Sequence, residues 1–577
     1  MLVETSKSHS FTAMALRTLF VIIMTVCLTD GARILGIFPY QGKSHNVMFE
    51  PLMIGLAKAG HTVDLVSHFP LKKPVPGLNH ISLKGSLHFY VNNVTASLAR
   101  GYNGIYGMVH SVSVKSALDL CNLMRLPQLQ NIINTDTKYD IMVTQVFGSN
   151  CYLAVAHKLK IPVVGVVTSV IYPWSYGPFF GDANPSFIPS QLGTFTNEMS
   201  FVERVQNTIE HYYAKFLFHY YDRTVSDPLA KKYFDDLPPL NDLYNNMSLL
   251  LVNSHLSIHG VRPGNPAIVE VGGLHIDRTQ VLSEELEKYL NSSKDGVVYF
   301  CMGTMVRSDT FAQEKILAIY ESFSALSNYN ILWKSNAEDL PKPFPSNLKV
   351  IPWAPQYAVL SKFIIFMKVI IKYGTNFSSL RIYCKIRKAF VSVHDEATKI
   401  VGYCQEGMTD RVKAFVTHGG LMGTLEAVDA GVPMIGIPFF GDQAFNVLGY
   451  VHRGFAVHID YDDTNQLTFS KALNEVLTNP MYQSNAARYS RLFKDRPMSP
   501  LDEAVFWIEY IIRNGGEPLR SSALHLYWFQ YYLIDVILFL LAVPTLFLLS
   551  LFHVLKRVLR TNKSTKTRTI QKKKKTS

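Results

Sequence analysis

The chain has 577 residues, which is enough for two domains and a membrane anchor. Its formal net charge is +12, but ten basic residues and no acidic one lie between Lys556 and Lys575, which leaves about +2 for everything else. The basic character therefore belongs to a short tail. It gives no support to nucleic-acid binding, and no nucleic-acid partner is expected.

Near the N-terminus, an apolar run from Leu19 to Leu28 follows the basic residues Lys7 and Arg17. The run is too short to span a membrane, and small residues suited to cleavage follow it. This pattern predicts a secretory signal peptide over residues 1–31. The six cysteines show neither CxxC nor Cys/His metal spacing. A disulfide framework is not expected, and Cys151 and Cys301 are predicted to be small buried residues.

The body opens with a strand, a helix and a second strand, over Arg33–Phe38, about Val47–Ala59 and Thr62–Ser67. This βαβ order predicts a parallel sheet. Further buried strands are predicted at Asp140–Thr144 and Ile161–Val167. The aromatic region over residues 185–234 is predicted to be helical and to form an apolar wall.

A second set of strands begins with Gly296–Gly303, which ends in a glycine turn, and continues at Asn330–Lys334 and Leu348–Trp353. The most informative stretch of the chain is Phe415 to Gln443. It predicts a strand, a glycine turn, a helix, a second strand and an acidic-polar pair.

Ligands of parallel sheets bind at the carboxyl ends of the strands. That stretch therefore places several polar groups and a glycine backbone around one crevice. The glycines let backbone N–H groups approach a phosphate, and the helix N-terminus favours its negative charge. The residues predicted to surround the crevice are His418, Gly419, Gly420, Gly423, Glu426, Asp442 and Gln443.

The same stretch resembles the signature of the UDP-glycosyltransferases, with the polar positions in order over about thirty residues. Trp353-Ala-Pro-Gln356 is similar to the WxPQ motif of that family. The overall pattern resembles the invertebrate branch of the UDP-glucuronosyltransferase-like enzymes. The resemblance implies an α/β protein of GT-B fold, with two doubly wound, Rossmann-like domains and one C-terminal transmembrane helix. The acceptor domain is predicted at 32–275 and the UDP-sugar domain at 276–515.

The resemblance implies a donor pocket in which Trp353 stacks on the uracil and Gln356 contacts the ribose or the base edge. Gly303 and Thr304 form a turn that meets phosphate, and Glu426 accepts two ribose hydroxyls. His418 donates to the diphosphate, while Asp442 and Gln443 bind sugar hydroxyls. No DxD-like carboxylate pair stands beside these positions, so no metal is expected. The UDP-sugar is a co-substrate, and no cofactor is expected.

His45 follows the first strand and matches the catalytic histidine of the family, which makes it the predicted base. The family pairs this histidine with a carboxylate after the strand at 140–144. Here the two candidate positions after that strand, Gln145 and Asn150, are neutral amides. Asp140 is acidic, but it opens the strand and should lie ~15 Å from the far end, where His45 is expected. An amide can orient an imidazole but cannot stabilise an imidazolium as a carboxylate does.

Donor choice is predicted from the segment Leu250–Ser254. Vertebrate glucuronosyltransferases carry an arginine there, and Val252 is aligned with it. A carboxylated sugar would lack its bidentate partner, so UDP-glucose is preferred to UDP-glucuronic acid.

The segment over residues 361–411 departs from the family pattern. About ten residues usually join WxPQ to the next strand, whereas here that strand begins only at Val412. The extra material starts with the nearly all-apolar run Phe363–Ile371, which is too short for a membrane span. A genuine inserted strand or hairpin and a translated intron or mis-joined exon both fit. The clean resumption of the family pattern favours the second.

At the C-terminus, a juxtamembrane segment (516–532) leads into a predicted transmembrane helix (533–553) and a basic tail (554–577). The basic tail is cytosolic by the positive-inside rule, so the body is luminal. Lys574-Lys575-Thr576-Ser577 resembles a dilysine retrieval signal. A single-pass type I protein of the endoplasmic reticulum membrane is therefore expected. Luminal sequons stand at Asn93, Asn246, Asn291 and Asn376.

These inferences combine into one predicted function. The protein is expected to transfer a hexose from a UDP-sugar to a hydroxyl of a small lipophilic acceptor, and the expected hexose is glucose. The transfer is expected to invert the anomeric carbon, to need no metal and to use His45 as the base. The alternative is an impaired paralogue or splice product that binds ligand or family partners without turnover. Homo- and hetero-oligomers are both left open.

Overall fold

The computed structural model describes residues 31–361 and 411–574, apart from residues 90, 92, 102, 103, 181 and 182. The predicted signal peptide up to residue 30, the apolar run of the insertion, the sequon at Asn376 and the last three residues lie outside the described residues. The described residues up to Leu519 form one compact unit, and those from Arg520 form a second.

The first sheet of the described chain has seven strands in the order β3-β2-β1-β4-β5-β6-β7, all parallel. Its central strands are runs of valine, isoleucine and leucine that are buried on both faces, as parallel strands require. The parallel sheet predicted from the sequence is confirmed. The strands are β1 Arg33–Phe38, β2 Thr62–Ser67, β3 Leu78–Ser82, β4 Ile141–Gln145, β5 Val163–Val167, β6 Leu249–Val252 and β7 Ile268–Glu270.

The second sheet has six described strands in the order β10-β9-β8-β11-β12-β13, again all parallel. The strand order turns back on either side of β8 and β11, which is the switch point where such sheets bind ligands. The strands are β8 Gly296–Cys301, β9 Tyr329–Lys334, β10 Leu348–Ile351, β11 Val412–Thr417, β12 Met434–Gly436 and β13 Ala456–His458.

Helices connect and cover both sheets. In the first half of the chain they are α1 Lys43–Lys58, α2 Ala96–Arg100, α3 Ile105–His110, α4 Ala117–Asn122, α5 Pro127–Ile133, α6 Leu153–Leu159, α7 Gly177–Phe180, α8 Phe201–Tyr221, α9 Asp227–Ala230, α10 Leu240–Asn245 and α11 Leu256–His259. In the second half they are α12 Glu284–Asn291, α13 Gln313–Ser324, α14 Gln356–Leu360, α15 Leu421–Ala430, α16 Gln443–His452, α17 Gln466–Thr478, α18 Pro480–Lys494 and α19 Pro500–Asn514. The second unit holds α20 Trp528–Tyr531 and α21 Ile534–Lys574.

Helix α19 follows the second sheet in the chain but packs on the first. Its buried residues Ala504, Ile508 and Ile511 belong to the same apolar cluster as Phe49 and Leu52 of α1. Gly55 of α1 has no side chain, and a Cβ there would come within 2.7 Å of Leu501. Helix α19 therefore joins the end of the second half to the first sheet.

The cysteine prediction is partly wrong. Cys121 of α4 and Cys151, just before α6, form a disulfide with a Cα–Cα distance of 5.8 Å. Cys301 is free and buried, as expected. The two bonded residues are 30 positions apart in the chain, and only the packing of α4 beside the loop after β4 brings them together. Spacing in the sequence carries no sign of that packing.

Helix α21 is long enough, and over Ile534–Lys563 apolar enough, to cross a membrane. Its apolar part agrees with the span predicted at 533–553. Of the described sequons, Asn246 and Asn291 are exposed. The amide nitrogen of Asn93 instead donates to the Phe89 carbonyl oxygen at 2.5 Å.

The flanks of the insertion lie side by side. Helix α14 ends at Leu360, and the chain returns at Arg411, whose guanidinium donates to the Ala358 carbonyl oxygen at 3.3 Å. The two ends therefore meet without needing the segment between them, and a short connection fits this geometry.

We predict that deleting Ser361 to Asp410 raises the folded yield and UDP binding. The physical reason is composition, since Phe363–Ile371 is a β-prone apolar run with one charge, which favours aggregation. The length of the loop matters little, because each doubling adds only ~0.6 kcal/mol to the free energy of loop closure. Both forms would be expressed in microsomes and compared for protease resistance and UDP binding. Equal stability and binding of the full-length form would show that the segment is an accommodated part of the fold.

Candidate active site

His45 lies in the first turn of α1, directly after β1. Its Nδ1 atom is 2.6 Å from Nε2 of Gln145, at the end of β4, and 3.2 Å from Oγ1 of Thr168, just past β5. Because β1, β4 and β5 are neighbouring parallel strands, their carboxyl ends bring these three side chains together. The predicted position of His45 at the edge of the first sheet is thus where the structure has it.

Aromatic rings enclose the His45 imidazole. The ring centroids of Tyr40 and Phe147 lie 4.6 and 4.8 Å from that of His45. Burial lowers the pKa of His45 to about 3, because a charged imidazolium would lose its hydration here. His45 is therefore neutral at physiological pH, which is the form that can accept a proton.

The structure distinguishes the two candidate partners of His45. Gln145 contacts the imidazole, whereas Asn150 points elsewhere and donates to Oδ2 of Asp222 at 3.1 Å. Burial raises the pKa of Asp222 to about 6. Asp140 is at the opposite end of β4, where its carboxylate accepts from the backbone N–H of Arg33.

A stack of aromatic rings extends from His45 into the first half. Phe147 approaches Tyr172 at 6.2 Å, Tyr172 stacks on Trp174 at 4.7 Å, and Trp174 stacks on Phe218 of α8 at 4.7 Å. Tyr172, Trp174 and Phe218 are buried. The apolar wall predicted around residues 185–234 is thus helical at α8, although part of the wall comes from Phe147 and from residues 172–174, which sequence reasoning did not single out.

The second sheet brings a glycine turn and a histidine ring into close contact. Gly303 has φ +74°, and a Cβ on it or on Gly420 would come within 2.5 Å of the His418 ring. Both positions therefore require glycine. Burial, with a smaller contribution from the positive charge of Lys334, lowers the pKa of His418 to about 4. His418 is neutral and can donate through one ring nitrogen only. Thr304 follows Gly303 in the same turn.

Lys334 is a cleft residue that the sequence analysis missed. It ends β9, is buried, and donates from Nζ to the Gly303 carbonyl oxygen at 2.5 Å. The same ammonium lies 5.1 Å from the centroid of the Trp353 ring. Trp353 itself is 58% exposed, so it is not a core residue and its ring is free to stack on a planar ligand. The sequence did contain a signal for this residue, because a lysine at the carboxyl end of a buried strand is placed where such sheets bind ligands.

Gln356, the first residue of α14, contacts Glu426 in the middle of α15. The Gln356 amide donates to Oε2 of Glu426 at 2.6 Å, and a Cβ on Gly423 would come within 2.9 Å of the same amide. Burial raises the pKa of Glu426 to about 7, although the hydrogen bond from Gln356 opposes that rise. The two residues predicted to hold the ribose thus contact each other directly.

Asp442 and Gln443 mark the start of α16. Burial raises the pKa of Asp442 to about 6. Gln443 uses its side-chain oxygen to accept from the backbone N–H groups of Phe439 and Phe440, at 2.8 and 3.2 Å. That oxygen therefore shapes the loop. Burial raises the pKa of Tyr172, and the nearby charge of Asp442 adds to that rise, so the Asp442 loop lies close to the aromatic wall.

Val252, the position aligned with the arginine of vertebrate glucuronosyltransferases, is buried. Val252 ends β6 and is only 1% exposed, within the core of the first sheet. Its neighbour Asn253 is the residue that reaches the second half, with Nδ2 3.4 Å from Sδ of Met422 in α15. Asn253 is also fully buried, where its Nδ2 donates to the Thr168 carbonyl oxygen at 3.0 Å and its Oδ1 accepts from the Gly273 backbone N–H at 3.3 Å.

Among the described residues, no group of three or more His, Cys, Asp or Glu side chains is arranged to hold a metal ion. The polar groups that converge on the cleft are amides, neutral imidazoles, carboxyls and one ammonium. They are suited to hydrogen bonding with a ribose, a sugar and a diphosphate.

Comparison with known proteins agrees with this geometry. The family described as "UDP-glucoronosyl and UDP-glucosyl transferase" matches residues 82–365 and 408–575, and the gap falls within the atypical segment. UDP-glucosyltransferase 2 of Dactylopius coccus is 32% identical over 94% of this chain and 95% of its own length. UDP-glucuronosyltransferase 2C1 of Oryctolagus cuniculus is 31% identical over 62% of this chain and 61% of its own length.

Solved structures show the same fold. The UDP-glucose:anthocyanidin 3-O-glucosyltransferase, in complex with UDP, has a TM-score of 0.51 at 17% identity and covers 84% of this chain and all of its own. The glycotransferase of kitacinnamycin has a TM-score of 0.52 at 16% identity and covers 84% of this chain and 99% of its own. The GT-B fold class expected from the sequence is confirmed. The chain belongs to the UDP-glycosyltransferase family, whose members transfer a sugar from a UDP-sugar.

Proposed function

We propose that the protein transfers glucose from UDP-glucose to a hydroxyl of a small lipophilic acceptor, with inversion at the sugar and with His45 as the base. The observation that carries the proposal is the neutral His45 imidazole, held by Gln145 and Thr168 beside an aromatic wall. In the reaction a bond forms between the acceptor oxygen and the anomeric carbon. The bond from that carbon to the diphosphate breaks, and the acceptor proton moves to His45.

Gln145 decides which nitrogen of His45 is basic. If its amide N–H faces Nδ1, the imidazole proton sits on Nε2 and that atom cannot accept another. If the amide is turned over, Oε1 accepts the Nδ1 proton and Nε2 offers its lone pair. In the first orientation Oε1 of Gln145 is buried without a partner among the described residues. The second orientation gives that oxygen a donor, so it is the orientation that we assign to the active enzyme.

The donor half would hold UDP through dipoles and one ammonium. The uracil would stack on Trp353, and the ribose hydroxyls would displace the contact between Gln356 and Glu426. The diphosphate would lie over the Gly303-Thr304 turn and the N-terminus of α15, with His418 as a neutral donor. Lys334 supplies the positive charge beside that turn.

Asp442 is proposed to accept hydroxyls of the sugar, with the side-chain amide group of Gln443 beside it. Asp442 lies near Tyr172, so a sugar there would be placed close to the aromatic wall. An apolar acceptor would occupy the wall, and its hydroxyl would reach His45. This arrangement supports the choice of a lipophilic acceptor.

The proposed location is the endoplasmic reticulum membrane, with the body in the lumen. The candidate span of α21, the basic residues after it and the signal-peptide pattern support this topology. The disulfide between Cys121 and Cys151 is also typical of an oxidising compartment. Asn246 and Asn291 are then the exposed acceptors for glycosylation.

A second candidate function is ligand binding without turnover, either alone or with active relatives. The observation that favours it is the neutral Gln145 in place of a carboxylate partner for His45. Loss of the carboxylate from a serine-protease triad lowers kcat about 10⁴-fold, so the change is large enough to decide between the two functions.

We predict that His45→Ala lowers transfer from labelled UDP-glucose by about 10²- to 10⁴-fold, the usual contribution of a general base. UDP affinity should stay the same, since the proposed UDP contacts are all in the other half. Calorimetry with UDP and a transfer assay measure the two effects separately. His157→Ala, at an exposed position of α6, is the control. A matching loss of UDP affinity would contradict the assignment.

We predict that Gln145→Glu raises kcat, by up to about 10⁴-fold, because a carboxylate stabilises the imidazolium that forms. It also changes the pH profile. In the parent protein His45 has a pKa of about 3, so protonation of His45 should not lower the rate down to about pH 5, and a fall in that range belongs to Asp442 and Glu426, whose pKa values are about 6 and 7. A carboxylate raises the pKa of His45, and the rate should then fall as pH drops below the new value.

Asn150→Asp is the matched control for that experiment. It also replaces an amide by an acid near the end of β4, but it faces Asp222 and should give no gain in kcat. If Gln145→Glu leaves both kcat and the pH profile unchanged, Gln145 does not act on His45.

We predict that UDP-glucose gives a higher kcat/KM than UDP-glucuronic acid, because Val252 stands at the position aligned with the carboxylate-binding arginine of glucuronosyltransferases. The ratio of kcat/KM for the two donors is the measurement. Val252→Arg and Asn253→Arg should both reduce folded yield, because each would bury a charge at a fully buried position. A parent enzyme that prefers UDP-glucuronic acid would refute the donor assignment.

A further inference from the structure

Helix α8, Phe201–Tyr221, presents an apolar stripe to solvent. Nine of its residues are exposed, and all but Gln206 are apolar or aromatic. The exposed fraction reaches 71% at Phe201 and 63% at Phe216, near the two ends of the helix. The stripe, so named below, consists of Phe201, Val202, Val205, Ile209, Tyr212, Tyr213, Phe216 and Tyr220. Their steps of three and four residues place them along one face of the helix.

The orientation of the stripe is set by hydrogen bonds on the opposite face. Asn207 is fully buried, where its Oδ1 accepts from the backbone N–H of Ser190 at 2.7 Å and its Nδ2 donates to the Ile188 carbonyl oxygen at 2.9 Å. Rotating the helix to bury the stripe would leave these buried partners unsatisfied. The N-terminus is also fixed, by a capping box between Ser200 and Glu203. The apolar face therefore points outward as part of the fold.

A stripe of this size on a helix of five to six turns marks an interaction surface. The occupant follows from the rest of the chain. Helix α21 can cross a membrane, and the tether between Leu519 and Ile534 spans at most ~50 Å at full extension. An anchored body is thus always close to a bilayer. The stripe also combines tyrosine and phenylalanine rings, which favour the membrane–water interface. Its exposed residues carry no charge, so it does not need anionic lipids.

We propose that the stripe of α8 lies in the head-group region of the luminal leaflet, as an amphipathic helix parallel to the membrane plane. This inference rests on the proposed membrane anchorage by α21. Such helices bury their apolar face ~5–10 Å into the boundary between head groups and acyl chains. The opposite face of α8 carries Phe218, which ends the aromatic stack leading to His45. Docking would therefore hold the aromatic wall next to the lipid phase in which lipophilic compounds are concentrated.

Lipid quenching in full-length protein tests the proposal. The protein is reconstituted in phosphatidylcholine vesicles with a fluorescent amino acid incorporated at Ile209 of the stripe. Lipids brominated near the carbonyl end of the acyl chain should quench this probe, and high salt should not relieve the quenching. A probe at Leu467, an apolar residue 74% exposed on α17, is the matched control and should not be quenched. Phe216→Asp should reduce the quenching at Ile209, while Leu467→Asp should not.

A third probe, at Leu546 in the apolar part of α21, reports on anchorage itself. Quenching at Leu546 without quenching at Ile209 would overturn the docking of α8 and leave the anchorage intact. Quenching at neither position would overturn both. The emission of the Ile209 probe could instead shift to the blue as protein density rises, without quenching by lipid. This result would identify a second copy of the chain as the occupant and would also overturn the proposal. UDP binding by each variant confirms that it is folded.

Discussion

Burial shifts the pKa values of the titratable groups around the cleft toward their neutral forms, and the chemistry of the site depends on it. It lowers the pKa of His45 to about 3 and of His418 to about 4, and it raises the pKa of Glu426 to about 7 and of Asp442 to about 6. Both imidazoles are thus neutral before a charged diphosphate enters, whereas Asp442 stays mostly ionised at neutral pH and Glu426 is about half ionised. Preorganised dipoles stabilise developing charge without reorganising during the reaction.

The amide at Gln145 is consistent with such a cleft. A carboxylate beside His45 would be a further desolvated charge, and burying it is costly unless it is well paired. An amide keeps its hydrogen bond to the imidazole at little cost in burial, but it does not stabilise the imidazolium. The chain therefore combines a stable, neutral resting site with a weaker stabilisation of the charged state. The disulfide ties Cys151, in the loop that follows β4, to Cys121 of α4.

Helix α8 connects the site with the outside of the molecule. On one face, Phe218 continues the rings of Trp174, Tyr172 and Phe147 toward His45. On the other face the stripe is exposed. Because the buried Asn207 fixes the rotation of the helix, both faces keep their roles at once. One rigid element thus shapes the acceptor side of the cleft and provides the surface proposed to meet lipid.

The sequence by itself determined the parallel sheets, the glycine turn before α15 and the apolar helix near the C-terminus. These features depend on local patterns, since buried parallel strands are continuous apolar runs and a phosphate turn needs glycine. It also placed His45 after β1 and His418 directly after β11, at the carboxyl ends of those strands. The tertiary structure alone decided that Gln145 rather than Asn150 faces His45, and that Asn253 rather than Val252 faces the donor half. It also decided that Cys121 meets Cys151, that Lys334 joins the cleft, and that the apolar face of α8 points outward. Each of these depends on which side of an element a residue occupies, or on packing between distant segments, and the order of residues along the chain does not specify either.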